Sequence, residues 1–384
     1  MFPLYAELPT TIFEHMSRLA REHDAVNLGQ GFPDFGWPDD VVARAAAALT
    51  GAASQYPPMP GLPELRQAIA DHYARHQGLS IDPAEVIVTS GATEALAAAI
   101  MALVSPGDEV LLFQPLYDAY LPLVKRAGGV PRLVRLDPPG WRITPELIAE
   151  AFTDRTRLVI FNNPHNPTSR LFGRDELALL AAACVAHGAL AISDEVWEHV
   201  LFDGAEFVPL SALPGMAERT VKVGSAGKIF ALTGWKVGWA IAPPALSAPI
   251  MRAHQYLTFA TPPNLQSAIA YGLAKEDGYF TAMRRELAEA RGFLDQGLRA
   301  AGFATLPAEA TYFLSIDLAA SGVALDDATF CERAVQEAGV AAIPVSALYA
   351  EDPARHIVRL CFAKSRDTLQ AGVERLAAAR AMLV

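Results

Sequence analysis

Cysteine is scarce in this sequence: Cys184, Cys331 and Cys361 lie scattered over 384 residues, and no two form a C-x-x-C pair. Three isolated thiols in so long a chain read as buried cysteines of a reducing compartment. Basic charge is short as well. With 31 Lys and Arg against 42 Asp and Glu, the net charge of −11 argues against a nucleic-acid or anionic-membrane surface, both of which need a basic patch. Long apolar runs are missing: stretches such as ALAAAIMALV (95–104) reach about half of the roughly 20 residues of a membrane span. The opening MFPLYAELPTTIFEHM lacks a basic segment followed by an apolar one, so no secretory signal is read and a cytoplasmic location is expected. There is no internal repeat, low-complexity tract or Ser/Gly linker. Lysine, finally, makes up only six of the 31 basic residues, at positions 125, 222, 228, 236, 275 and 364.

What is present is apolar and periodic. At 52% hydrophobic residues the chain can bury a large core, and its length predicts two to three domains. From about residue 84 to 245, short apolar runs alternate with helical patterns: 86–90, 109–113, 130–136, 158–162, 189–193, 220–224 and 238–242. That alternation predicts an α/β fold whose seven-stranded, mostly parallel sheet is covered by helices on both faces. The tail differs. Two long helical stretches (263–275 and 279–301) precede strand patterns at 312–316 and 356–362 and a terminal helix, which predicts a smaller α+β domain with the N-terminal arm folded back onto it. The expected division is an arm at 1–40, a large domain at 41–285 and a small domain at 286–384.

The stretch VGSAGKIFALTGWK (223–236) holds a Gly-Lys pair in a small-residue loop and a second lysine eight positions on. It is not a P-loop: Lys222 stands where the first glycine is required, and Ile229 follows Lys228 where a hydroxyl should bind Mg²⁺. In open α/β sheets ligands sit at the carboxyl ends of the strands. Those ends carry the turn Gly91-Ala92-Thr93 opening a helix, the turn Asn162-Asn163-Pro164-His165-Asn166-Pro167, the pair Asp194-Glu195, and Ser225 followed by Lys228. Each alone also fits an ordinary turn or cap. Together they supply what a pyridoxal 5′-phosphate (PLP) enzyme needs: an anion cradle, a donor to the ring oxygen, a carboxylate for the pyridine nitrogen and a lysine for the imine. Two decoys fall away. Gly29-Gln30-Gly31 runs into Phe-Pro-Asp instead of a third glycine, and His72 and His76, four apart without a following Glu, are expected on an exposed helix face, so no metal is expected.

With these motifs in order, the chain resembles the class I (fold-type I) PLP-dependent aminotransferases, closest to the kynurenine/glutamine/methionine transaminase branch. The likeness runs through VNLGQGFPDF (26–35), QYPPMPGLPELR (55–66), VTSGATEAL (88–96), FQPLYDAY (113–120), NNPHNPTS (162–169), ISDEVWEH (192–199), GSAGKIFALTGWKVGW (224–239) and VRLCFAK (358–364). The resemblance implies that Lys228 forms the imine and then shuttles the proton between Cα and the cofactor, and that Asp194 pairs with the ring nitrogen. It implies that Asn166 donates to the ring oxygen, that Tyr117 stacks on the ring, and that the Gly91-Ala92-Thr93 turn, Ser225 and Lys236 hold the phosphate. Tyr56 of a partner subunit adds a phosphate contact. Arg359, helped by the backbone at Gly31, binds the substrate carboxylate, and Phe259 reaches into the partner's pocket and sets selectivity. Two departures stand out: Ser169 where NPTG has glycine, which should alter that turn, and Trp197 where DEVY has tyrosine, a second donor to the ring oxygen. The expected enzyme is a homodimeric aminotransferase working by a ping-pong mechanism through pyridoxamine phosphate on methionine, glutamine, kynurenine or aromatic donors. The rivals are a cysteine-conjugate β-lyase and an N-succinyl-diaminopimelate-type aminotransferase.

Overall fold

The computed structural model describes residues 3–50 and 54–383, so Met1 and Phe2 of the opening stretch lie outside the described residues. A short strand, β1 (Val26–Asn27), comes first. Seven strands then build the central sheet: β2 (Val86–Ser90), β3 (Glu109–Gln114), β4 (Val130–Arg135), β5 (Thr156–Asn162), β6 (Leu190–Asp194), β7 (Thr220–Ser225) and β8 (Val237–Ile241). Their order is β2-β8-β7-β6-β5-β3-β4, with β8 antiparallel to both neighbours and the other pairs parallel. β8 reverses because the link from Ser225 to Val237 is too short for a crossover helix.

Side chains alternate across the sheet, and both faces are apolar. Val110, Leu112, Ile160 and Ile192 pack on one side with the helix Gly91–Leu103; Leu111, Phe113, Val159 and Phe161 pack on the other with the helix Arg174–His187. This is why the strands read as continuous apolar runs rather than alternating ones. The Ala-rich sequence of Gly91–Leu103 favours helix, and it starts directly after β2 because Gly91 takes φ +76.

Beyond the helix Asp277–Ala300 come β9 (Ala304–Thr305), β10 (Phe313–Asp317), β11 (Val340–Ala341), β12 (Ile343–Pro344) and β13 (Ile357–Cys361). Four of them form an antiparallel sheet in the order β12-β13-β10-β9, while β1 pairs in parallel with β11 and brings the N-terminal segment alongside. Among the described residues, no helix is long and apolar enough to cross a membrane.

Candidate active site

A cavity of about 290 Å³ opens at the carboxyl ends of the central strands and is closed by Arg359 from β13 and by Gln30 and Gly31 from the N-terminal segment. Its floor is set by the chain itself. Asn162, the last residue of β5, accepts from Asn166 N–H at 2.7 Å through Oδ1 and donates Nδ2 to the Asp194 carbonyl at 2.8 Å, so one amide fixes two site residues. Tyr117 stands at one wall, its hydroxyl 3.4 Å from Thr93 Oγ1.

Asp194 ends β6 and is buried; Tyr120 donates its hydroxyl to Oδ2 at 2.6 Å. Burial pushes the Asp194 carboxyl up to about 6, with Tyr120, the Val196 N–H and the charge of Lys228 pulling the other way. Lys228 reaches the cavity from the turn after β7, its Nζ 3.4 Å from the Tyr312 hydroxyl and 4.8 Å from the centre of the Trp197 ring. Burial pushes this amine down to about 8, and the charges of Arg359 and Lys236 act in the same direction. Lys222, six residues earlier on β7, is no rival for it: its ammonium is buried between Glu195 and Glu198. Trp197, the residue in place of tyrosine, is buried edge-on to Tyr312 with ring centres 4.3 Å apart.

Arg359 is 1% exposed. It donates Nη1 to Asn166 Oδ1 at 2.7 Å and Nη2 to the Gly29 carbonyl at 3.1 Å, its Cζ lies 3.9 Å from the Phe313 ring centre, and its Nε has no partner among the described residues. The Gly29 carbonyl is thus the backbone group that meets the guanidinium; Gly31, expected to help bind the substrate carboxylate, lines the cavity, and its carbonyl accepts from Tyr312 at 2.8 Å. Lys222 and Lys275 are neutralised by carboxylates, whereas among the described residues none pairs with Lys228, Lys236 or Arg359.

The geometry fits PLP. A Cβ on Gly91 would come within 3.1 Å of Lys236 Nζ, and one on Gly238 within 2.6 Å of Ala92 N, so glycines keep open the space over the first turn of helix Gly91–Leu103. No side chain caps that helix, which leaves its first N–H groups free to bind an anion beside Lys236 and Ser225. The buried acid and the unneutralised amine complete the set that an imine cofactor with a basic ring nitrogen requires.

Tyr56 and Phe259 stand apart. Tyr56 is 87% and Phe259 40% exposed, and they meet edge-on at 5.7 Å outside the cavity of their own chain. Ser169 takes φ +60, the conformation that glycine would favour, and holds it with an Oγ that donates to the Phe313 carbonyl at 2.7 Å and lies 2.9 Å from Thr311 Oγ1. His72 is not on an exposed face. It is buried, with Nε2 2.7 Å from His199 Nε2, and burial keeps it neutral; the sequence offered no sign of the distant His199 that covers it. Sequence reading also passed over Tyr120, although it lies three residues beyond Tyr117 in the same motif, and over Phe13 and Tyr312, for which one sequence holds no signal.

Comparison with known proteins gives the same direction. Residues 23–376 match the family described as aminotransferase class I and II. A methionine aminotransferase of Escherichia coli is 44% identical over 372 residues, covering 96% of each chain. A probable N-succinyldiaminopimelate aminotransferase of Mycobacterium tuberculosis is 44% identical over 382 residues, covering 96% of this chain and 95% of its own. A solved Escherichia coli structure with a methionine aminotransferase function superposes with a TM-score of 0.93 at 43% identity, covering 97% of both chains.

Proposed function

The chain belongs to the class I and II aminotransferases, and on that premise we propose that its donors are α-amino acids with apolar or thioether side chains and that two copies of the chain complete each other's sites. It is a PLP-dependent transaminase whose small-molecule substrates are amino acids and 2-oxo acids.

Bound PLP supplies an electron sink for the bond broken at the donor Cα. The chain's own residues do the rest. The first-turn N–H groups after Ser90, with Ser225 and Lys236, would hold the phosphate; Asp194 would keep the ring nitrogen protonated, and Tyr120 would keep Asp194 aimed. Asn166 and Trp197 would face the ring oxygen, and Tyr117 would cover one face of the ring. Lys228, whose amine is already pushed down to about 8, would carry the cofactor and, once released, take the proton from the donor Cα.

One observation carries this reading: among the described residues Arg359 is a buried cation with no carboxylate partner and an unpaired Nε, a charge left to be neutralised from outside. An α-carboxylate does so with a charge-assisted fork. The donor side chain follows from what remains. The cations lining the cavity are Lys228, Lys236 and Arg359, each already with a task, while Phe13, Leu96 and Phe313 make its walls apolar. A donor with a distal carboxylate is the second reading, favoured by the N-succinyldiaminopimelate relative, and needs a cation from the partner copy. The pairing of copies is supported by the exposed aromatics Tyr56, Tyr256 and Phe259. A cytoplasmic site agrees with three free, buried thiols. A donor panel tests the substrate class: methionine or phenylalanine should give the higher kcat/KM, and a clear advantage for aspartate, lysine or an N-succinylated diamino acid would overturn it.

A further inference from the structure

His254 lies in the helix Pro244–Leu257, is 0% exposed, and has an oxygen acceptor at each ring nitrogen. Nδ1 is 2.7 Å from Glu94 Oε1, and Nε2 is 3.0 Å from the Met59 carbonyl. A carbonyl oxygen only accepts. The Glu94 carboxylate also only accepts here, since it takes the Thr258 hydroxyl at 2.7 Å and the Ser90 N–H, and its contacts hold it below the usual carboxylate range. Both ring nitrogens must therefore donate, and only the imidazolium does that.

The contacts join three segments. Glu94 sits in the first turn of the helix that opens with Gly91, and its carboxylate receives the N–H of Ser90 at the cradle. Met59 belongs to the loop that presents Tyr56. The His254 carbonyl accepts from Thr258 and Phe259 N–H at 3.3 Å each, beside a Phe259 backbone at φ +66, a conformation that a bulky residue keeps only when its surroundings impose it.

We propose that His254 is a positioning residue: as a buried imidazolium it clasps the segments presenting Tyr56 and Phe259 to the turn that holds the phosphate. The effect on catalysis rests on the reading above that these two aromatics complete a neighbouring copy's site; the clasp itself is read from this chain alone. Glu94 is the charged group facing the ring. The other groups around it are the Thr258 hydroxyl, the Met59 carbonyl and the Phe259 backbone. Burial favours the neutral ring, but Glu94 and these carbonyls outweigh it and raise the histidine above its ordinary value. The clasp is thus complete below that raised value and loosens as pH rises through it, when one of the two N–H donors is lost.

The test is amide hydrogen exchange, read by mass spectrometry over segments 55–61 and 256–261 and corrected for intrinsic rates. His254→Asn keeps a donor where Nδ1 was and should free 55–61 alone. His254→Gln keeps one where Nε2 was and should free 256–261 alone. Each exchange rate should rise about tenfold or more, the worth of one hydrogen bond to a charged group. In the wild-type protein, protection of both segments should fall as pH is raised, and donor KM should rise in both variants with kcat little changed. Protection that is independent of pH in the wild type, or unchanged in both variants, overturns the clasp; the wild-type series decides even if a variant does not fold. Altered protection with unchanged KM supports the clasp and overturns the shared-site reading instead.

Discussion

Lys228 is held in a place that disfavours its own charge. Its amine falls from an ordinary 10.5 to about 8, so below about pH 8 the folded apoprotein carries a cation that its surroundings resist. Because the folded value is depressed, the cost is full below about 8 and disappears above 10.5. Cofactor-free Lys228→Met should therefore be more stable than cofactor-free wild type at pH 7, by about 1–3 kcal/mol after allowing for partial exposure. Denaturant titrations of the apoproteins should show the gap closing as pH rises through that window. The rate of covalent cofactor capture by the wild-type apoprotein should climb with pH and level off above about 8, which stopped-flow absorbance reads directly. Arg359→Ala should leave cofactor absorbance nearly unchanged and weaken the donor by about 2–5 kcal/mol in kcat/KM, as truncation of a buried charge-assisted fork does. Trp197 is legible as a departure from tyrosine, but its edge-on seat against Tyr312 is not, because no local pattern points to a strand that follows so much later in the chain.

At the scale of elements, the strand ends do most of the positioning. Gly238 on β8 faces the backbone of Gly91 and Ala92 so closely that Gly238→Ala must displace the cradle. The expected outcome is a raised cofactor dissociation constant with a smaller loss in melting temperature. The turn at Ser169 behaves differently. Ser169→Ala keeps the left-handed backbone and loses the Oγ links to Thr311 and Phe313, for a loss of about 1–3 kcal/mol in unfolding free energy. Ser169→Gly loses the same links but relaxes the backbone, and should cost less. Strands and helices were readable because a sheet buried on both faces leaves long apolar runs between turn residues, as in 158–162 and 189–193. The acids and amides at strand ends were readable for the same reason, since a polar residue ending an apolar run stands out. His72 was misread because its helix face looks polar: the partners that bury it, His199 and Phe280, come from distant parts of the chain.

At the scale of the molecule, an acidic protein of net charge −11 surrounds a cavity whose cations outnumber its acids. The excess positive charge is confined where a phosphate and a carboxylate must both dock. If two copies complete each other's sites, sedimentation should give a dimer, and Tyr56→Ala should weaken cofactor binding in the dimer without changing the fold. A monomer with full activity would refute the shared site.

The hydrogen bond from Arg359 to the Gly29 carbonyl links positions 330 residues apart. A chain made from its N-terminus has its phosphate cradle, acid and lysine in hand while Gly29 still awaits the guanidinium that will meet it. The substrate end of the site is thus the last to close during synthesis, and the same order should hold in refolding, where contacts of long sequence separation form late. A nascent chain can acquire the means to hold its cofactor before it can dock an amino acid, which delays turnover until both ends of the chain have come together.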